Sequence, residues 1–177
     1  MSEIIASLRL RPAILADALA LATLARDSFV AAFGTMYSDE DLAAFLEQTK
    51  SLAATQAQIA DPDSRICLAE AEGKLLGYCK LKMISGWSAY ARSARTIELK
   101  QLYTDPAATG RGIGTILMDW ALAEARNEGA DEMQLSVWSG NLGGQRFYAR
   151  YGFAKVADIT FRVGAQVDEE FLFARLL

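Results

Sequence analysis

Between an extended stretch and an apolar helix the chain carries Gly110-Arg111-Gly112-Ile113-Gly114, and this loop constrains the fold more than any other feature. The surrounding segment, Glu98 to Thr115, reads ELKQLYTDPAATGRGIGT: a strand, a turn at Asp105-Pro106, then glycines at the mouth of a helix. Glycines at a helix start let a ligand approach the backbone closely, where several N–H groups lack intrahelical acceptors and the helix dipole favours negative charge. A phosphate-bearing ligand is the expected occupant. Two commoner phosphate motifs are excluded. A Walker loop needs Gly-Lys-Ser/Thr, which the chain lacks. A dinucleotide fingerprint needs glycine where Leu117 stands and an acidic residue where Gln134 stands.

Composition removes further classes. At 177 residues, 52% hydrophobic and 23% charged, the chain suits one domain over residues 1–177 with a substantial core. No run approaches the roughly 20 apolar residues of a membrane span, and Met1 to Leu10 lacks the basic start and apolar core of a signal peptide, so a cytoplasmic location is expected. The chain contains no histidine, which rules out Ser-His and Cys-His catalysis and histidine-bearing zinc sites, and no metal is expected. Cys67 and Cys79 lie equally far from Gly73 and would face each other across a hairpin, most simply as buried free thiols. A net charge of −4 argues against nucleic-acid binding. It either favours a cationic substrate or serves solubility alone.

Read in order, Leu8 to Arg11 is a short strand stopped by Pro12, and a helix from about Ile14 carries Ala18, Ala22, Ala25, Phe29 and Phe33 until Gly34. Ser38 caps a second helix bearing Leu42, Phe45 and Leu46, and a short helix covers Leu52 to Ala60. Arg65–Ala71 and Leu75–Ile84 form a hairpin, and Ala94–Thr104 is the central strand. After the glycine loop a helix runs to Gly129. Met133 to Trp138 is a strand, Asn141 to Arg150 a helix, Phe153 to Val163 a strand and Glu170 to Leu176 a last strand. The order indicates an α/β domain around one mixed sheet.

The glycine loop resembles the acyl-CoA site of the GNAT family of N-acetyltransferases, whose pattern is Arg/Gln-x-x-Gly-x-Gly/Ala after a strand ending in an apolar-aromatic pair. Leu102-Tyr103-Thr104 ends the strand, Gly112 and Gly114 take the small positions, and Thr109 replaces the usual Arg or Gln. Asn141 to Phe153 resembles the second family signature, Asn-x-x-Ala-x-x-Phe-Tyr-x-x-x-Gly-Phe, with Gly144 for the alanine. The element order matches the family along essentially the whole chain. The resemblance implies a single GNAT-like domain, its mixed, mostly antiparallel sheet splayed at two central parallel strands, with helices on both faces. It also implies acetyl-CoA as co-substrate. Pantetheine and the acetyl oxygen would lie on Leu102, Tyr103 and Thr104, pyrophosphate on Gly110, Arg111, Gly112, Ile113, Gly114 and Thr115, with Thr109, Asn141, Gln145 and Tyr148 completing the site. Arg111 either meets the pyrophosphate or is merely solvated.

Two catalytic roles follow from the resemblance. Tyr148 would lie beside the CoA sulfur, where a phenol can protonate a departing thiolate. Glu98, fourteen positions ahead of Gly112, stands where many GNAT enzymes keep a carboxylate that takes the amine's proton, often through water. The alternative for Glu98 is a solvent-facing strand residue. Phe29 to Leu42 and Phe161 to Asp168 further resemble the bacterial PaiA-type polyamine N-acetyltransferases, which implies a primary-amine acceptor near Phe33 and Tyr37. Asp39-Glu40-Asp41 either borders that pocket or only caps a helix. The implied partners are acetyl-CoA and a small amine, without nucleic acid or membrane, and a homodimer is compatible with them. The implied reaction is direct attack in a ternary complex, because both cysteines fall in strands away from the loop. Acetylation of protein N-termini or lysines, and a silent acyl-CoA-binding regulator, are the rival readings.

The central strand shows a phase slip. Ile97 and Leu99 alternate with Glu98 and Lys100, so strict period two would put Leu102 on the polar face. A β-bulge at Gln101 is expected, bending the strand away from Met133–Trp138 and opening a cleft for pantetheine, with Glu98 on one side and Tyr148 on the other.

Overall fold

Seven strands form one sheet in the computed structural model, which describes residues 7–177. They are β1 (Arg9–Pro12), β2 (Ser64–Ala71), β3 (Lys74–Lys82), β4 (Thr96–Thr104), β5 (Glu132–Trp138), β6 (Ala154–Val163) and β7 (Gln166–Leu176), arranged β1-β2-β3-β4-β5-β7-β6. The helices are α1 (Ala18–Phe33), α2 (Asp39–Lys50), α3 (Leu52–Ala60), α4 (Ile113–Asn127) and α5 (Leu142–Arg150). Only β4 and β5 run parallel among these neighbours. The first six residues of the stretch weighed as a signal peptide lie outside the described residues. No described helix is long and apolar enough to cross a membrane.

Period two divides the sheet's two faces. Cys67, Ala69, Cys79, Leu81, Ile97 and Leu99 pack with Ile113, Leu117 and Met118 of α4 in the main core. Ile66, Leu68 and Tyr78 point the other way, against Leu21, Leu24 and Ala25 of α1. The cysteines pair directly across β2 and β3 as buried free thiols, and burial pushes Cys67 up to about 12 and Cys79 well above the ordinary thiol range. Ser38 caps α2 by accepting from the Asp41 N–H, and Ser51 caps α3 in the same way from Ala54.

Several boundaries differ from the expectation, three of them by more than fraying at a strand end. Pro12 belongs to β1, where an edge position spares it from donating to a neighbour. Helix α1 starts at Ala18 after a 3₁₀ turn over Leu15–Asp17. The last strand begins at Gln166 rather than Glu170, so Phe161 to Asp168 is the closed end of a hairpin. Gly164 makes that turn with φ 56°, a left-handed value that suits glycine.

The central irregularity is present. Lys80 pairs with Gln101 but Leu81 pairs with Leu99, so Lys100 is the extra residue, one position before the expected bulge. Beyond it β4 and β5 separate: they pair only at Thr96↔Glu132, Ile97↔Met133 and Glu98↔Gln134. From there β4 continues with β3 as far as Thr104, while β5 continues with β7 as far as Trp138.

Candidate active site

Where β4 and β5 part, a cavity of about 510 Å³ opens. Leu99 to Tyr103 line it from β4, Ser136 to Trp138 from β5, and Asn141 and Tyr148 from the start and middle of α5. Phe33 and Tyr37, expected on the acceptor side, line it too. The bulge and the short parallel pairing therefore produce this space directly, since strands that stayed in register would fill it with ladder hydrogen bonds.

Helix α5 starts because Asn141 accepts from the Gly144 N–H at 2.8 Å. A Cβ on Gly144 would lie 2.6 Å from the Asn141 side-chain amide, so glycine at this position leaves room for the cap. Gln145 is occupied locally, donating to the Ser139 carbonyl at 2.8 Å. Phe147 and Tyr148 lie against the main core, with ring centroids 5.3 Å apart. The Tyr148 hydroxyl forms no hydrogen bond among the described residues. Burial, with Cys79 nearby, pushes its pKa above the ordinary phenol value, so it carries its proton throughout the neutral range.

The glycine loop lies outside this cavity, on the exposed end of α4. Gly110 and Gly112 adopt φ of 80° and 83°, which L side chains rarely adopt. No side chain caps α4 at Gly112, and open space surrounds the positions where Gly110 and Gly114 would carry a Cβ. Uncapped N–H groups with an open approach suit a pyrophosphate. Thr109 and Arg111 are exposed beside them, Arg111 donating to the Ala107 carbonyl at 3.4 Å. The Ile113 side chain is in the core, leaving only its backbone for a ligand.

Glu98 is placed differently from the expectation. It is 3% exposed, its Oε2 accepts from the Gly86 N–H at 3.1 Å and its Oε1 pairs with Lys100 Nζ at 3.0 Å. It does not line the cavity, whereas Lys100 does. The carboxylates that line the cavity are Asp168 of β7, the last residue of the segment tied above to the acceptor side, and Glu170, to which the sequence assigned no role. Asp168 accepts from the Tyr37 hydroxyl at 2.6 Å and from Gln166 at 2.9 Å. Burial raises the pKa of Glu170 above the usual carboxylate value, against a hydrogen bond from Ser136. Lys50 and Lys80 also line the cavity and were likewise missed; the only signal was Lys80, a charge inside a mostly apolar strand.

Two segments far apart in sequence meet in the cavity wall. Besides Tyr37 with Asp168, the Phe45 and Phe161 rings pack edge to face at 5.7 Å, and the Ala165 N–H donates to Asp41. Asp39, Glu40 and Asp41 do not line the cavity; they occupy the first turn of α2, so the helix-capping alternative describes them. The negative charge of the pocket comes from β7 instead.

The sequence profile of the Acetyltransferase (GNAT) family matches residues 22–153. This chain belongs to the GNAT family. As a GNAT enzyme it is an N-acetyltransferase that depends on acetyl-CoA. An uncharacterized N-acetyltransferase of Mycobacterium tuberculosis is 34% identical over 161 residues, covering 91% of this chain and 98% of its own. A spermidine N(1)-acetyltransferase of Thermoplasma acidophilum is 28% identical, covering 86% and 91%. The fold is shared with the PaiA N-acetyltransferase of Thermoplasma acidophilum in complex with coenzyme A, at a TM-score of 0.78 and 24% identity, over 97% of this chain and 99% of that one. The GNAT core, with its parallel β4–β5 pair, is the frame in which the cavity and glycine loop sit.

Proposed function

We propose that this GNAT enzyme moves an acetyl group from acetyl-CoA to a primary amine of a small molecule, polyamines included, by direct attack within a ternary complex. The observation that carries this reading is the cavity at the β4–β5 gap, which is lined by Tyr148, its hydroxyl unbonded among the described residues, and walled on another side by the joined Tyr37 and Asp168 segments. A walled cavity of about 510 Å³ suits a small acceptor better than a protein terminus or a lysine on a protein surface. A silent acyl-CoA-binding regulator would have no use for an unpaired phenol at that point. The spermidine acetyltransferase among the relatives acts, by its name, on an amine, which agrees.

Acetyl-CoA supplies the activated acyl carbon. Residues Gly110 to Thr115 would hold its pyrophosphate with uncapped amides, and the unpaired edge of β4 from Leu102 to Thr104 would hold pantetheine and polarise the acetyl oxygen. Asn141 lines the cavity beside them; Thr109 opens the first signature and Gln145 lies within the second. The amine attacks the acetyl carbon, the carbon–sulfur bond breaks, and Tyr148 gives its proton to the departing sulfur. The proton lost by the amine passes to Glu170, which lines the cavity. Glu98, behind Lys100, enters that relay only through water. An acyl-cysteine route is disfavoured because burial holds both thiols protonated.

A panel of polyamines, amino acids and other primary amines, followed by CoA release and product mass, tests the reading. Intersecting initial-rate lines are expected. Parallel lines, or no acetylated amine at all, would overturn it. Glu170 must be ionised to act, so kcat/KM should fall as pH drops through its raised pKa. Glu170→Gln should lower the plateau by about 10- to 10²-fold and abolish that acid limb, whereas Glu98→Gln should keep the limb. An acid limb unchanged in Glu170→Gln would remove Glu170 from the relay.

A further inference from the structure

Two lysines in the cavity wall, Lys50 and Lys80, have no counter-charge in contact with them among the described residues. Lys50, the last residue of α2, is 3% exposed, and among the described residues its ammonium makes no hydrogen bond or ion pair. Aromatic faces flank it, Phe29 at 5.3 Å and Tyr103 at 5.7 Å from the ring centroids. Lys80 of β3 is 6% exposed and donates to the neutral Gln58 Oε1 at 2.8 Å, with no carboxylate. Lys100 is already paired with Glu98. A further wall donor, the buried indole Nε1 of Trp87, finds no acceptor among the described residues.

Burying an ammonium without a counter-charge is costly, and burying two beside one cavity is costlier still. Burial pushes Lys50 down to about 8 and Lys80 to about 7, the neighbouring lysines adding to the second shift. The cavity's carboxylates do not relieve this. Asp168 and Glu170 belong to β7, separated from β3 by β4 and β5, and among the described residues neither forms an ion pair with Lys50 or Lys80. They are held there by Tyr37, Gln166 and Ser136. The cavity thus has a cationic side on α2 and β3 and an acidic side on β7.

We propose that the acceptor amine also carries an acid group, a carboxylate or a phosphonate, which docks on Lys50 and Lys80 while the amine reaches the β4–β5 gap. This rests on the amine-acetylation reading above and narrows it to a substrate class. A polyamine would leave both lysines uncompensated and would bring further positive charge into the same space. An acid group supplies the missing counter-charge and accepts the free donors.

Matched amines that differ only in an acid group test this: butylamine against 4-aminobutanoate, and propylamine against 3-aminopropylphosphonate, with spermidine alongside. The acid-bearing member of each pair should have the higher kcat/KM by about 10- to 10²-fold. In Lys50→Met and Lys80→Met that ratio should fall by about tenfold or more. Binding without turnover gives a second readout: propylphosphonate should raise the melting temperature of the wild-type protein and not that of Lys50→Met. Lys50→Met should itself melt a few degrees higher, because an unpaired buried ammonium is replaced by an apolar chain of similar length. Should it fail to fold, Lys80→Gln serves in its place. Plain amines or spermidine acetylated as well as the acid-bearing partners, or a ratio unchanged in the variants, would overturn the inference and leave amine acetylation standing. If no amine is acetylated, both readings fall.

Discussion

Tyr148→Phe is expected to lower turnover by about 10²-fold or more while acetyl-CoA binds nearly as tightly as before. The hydroxyl has no partner among the described residues, so its loss breaks no hydrogen bond. The ring keeps its contacts with Phe147 and Phe153, at centroid separations of 5.3 and 6.1 Å, and the fold should be unaffected. What disappears is the proton that a departing thiolate needs. Burial raises the phenol's pKa, which keeps that proton in place at every pH where the protein would be assayed. Loss should therefore fall on kcat across the neutral range, with little effect on binding of the acetyl donor. Steady-state CoA release, paired with equilibrium dialysis of acetyl-CoA, separates the two quantities. A variant that turns over at the wild-type rate would take Tyr148 out of the mechanism.

What could be read in advance was local. A serine before an acidic turn gave the start of α2, and an alternation that slipped by one residue gave the bulge in β4. The equal spacing of Cys67 and Cys79 about Gly73 gave their cross-strand register. Each signal lies within a few residues of the feature it specifies. The acceptor side of the cavity is different, because its residues acquire their environment from distant elements. Lys50 looks like a helix-end cation serving the dipole until α1 and β4 bury it against Phe29 and Tyr103. The polar start of β7, Gln166 to Glu169, shows no alternation that marks a strand until β6 pairs with it. Glu98 was placed on the correct strand. Which neighbours would occupy its carboxylate depended on Lys100 bulging and on Gly86 folding back, and neither is visible in the strand itself.

Gly114→Asp separates the glycine loop's ligand-binding role from its structural one. A Cβ at Gly114 meets nothing within 4 Å, so the fold has room for the side chain. A carboxylate in the first turn of α4 also interacts favourably with the helix dipole, and aspartate is no worse a helix residue than glycine. Thermal stability should be unchanged or slightly higher. Affinity for acetyl-CoA should move the opposite way. If pyrophosphate sits on the uncapped amides of this turn, the new carboxylate faces it at short range. Two unit charges about 5 Å apart at an effective dielectric of about 20 repel by about 3 kcal/mol, or roughly 10²-fold in affinity. Gly114→Asn supplies nearly the same bulk without the charge and should lose much less. Calorimetric titration of acetyl-CoA into the three proteins, beside their melting curves, reads both effects. An aspartate variant that binds acetyl-CoA like the wild type would place the pyrophosphate elsewhere. Equal losses in the aspartate and asparagine variants would assign the effect to bulk and remove the anion from this turn.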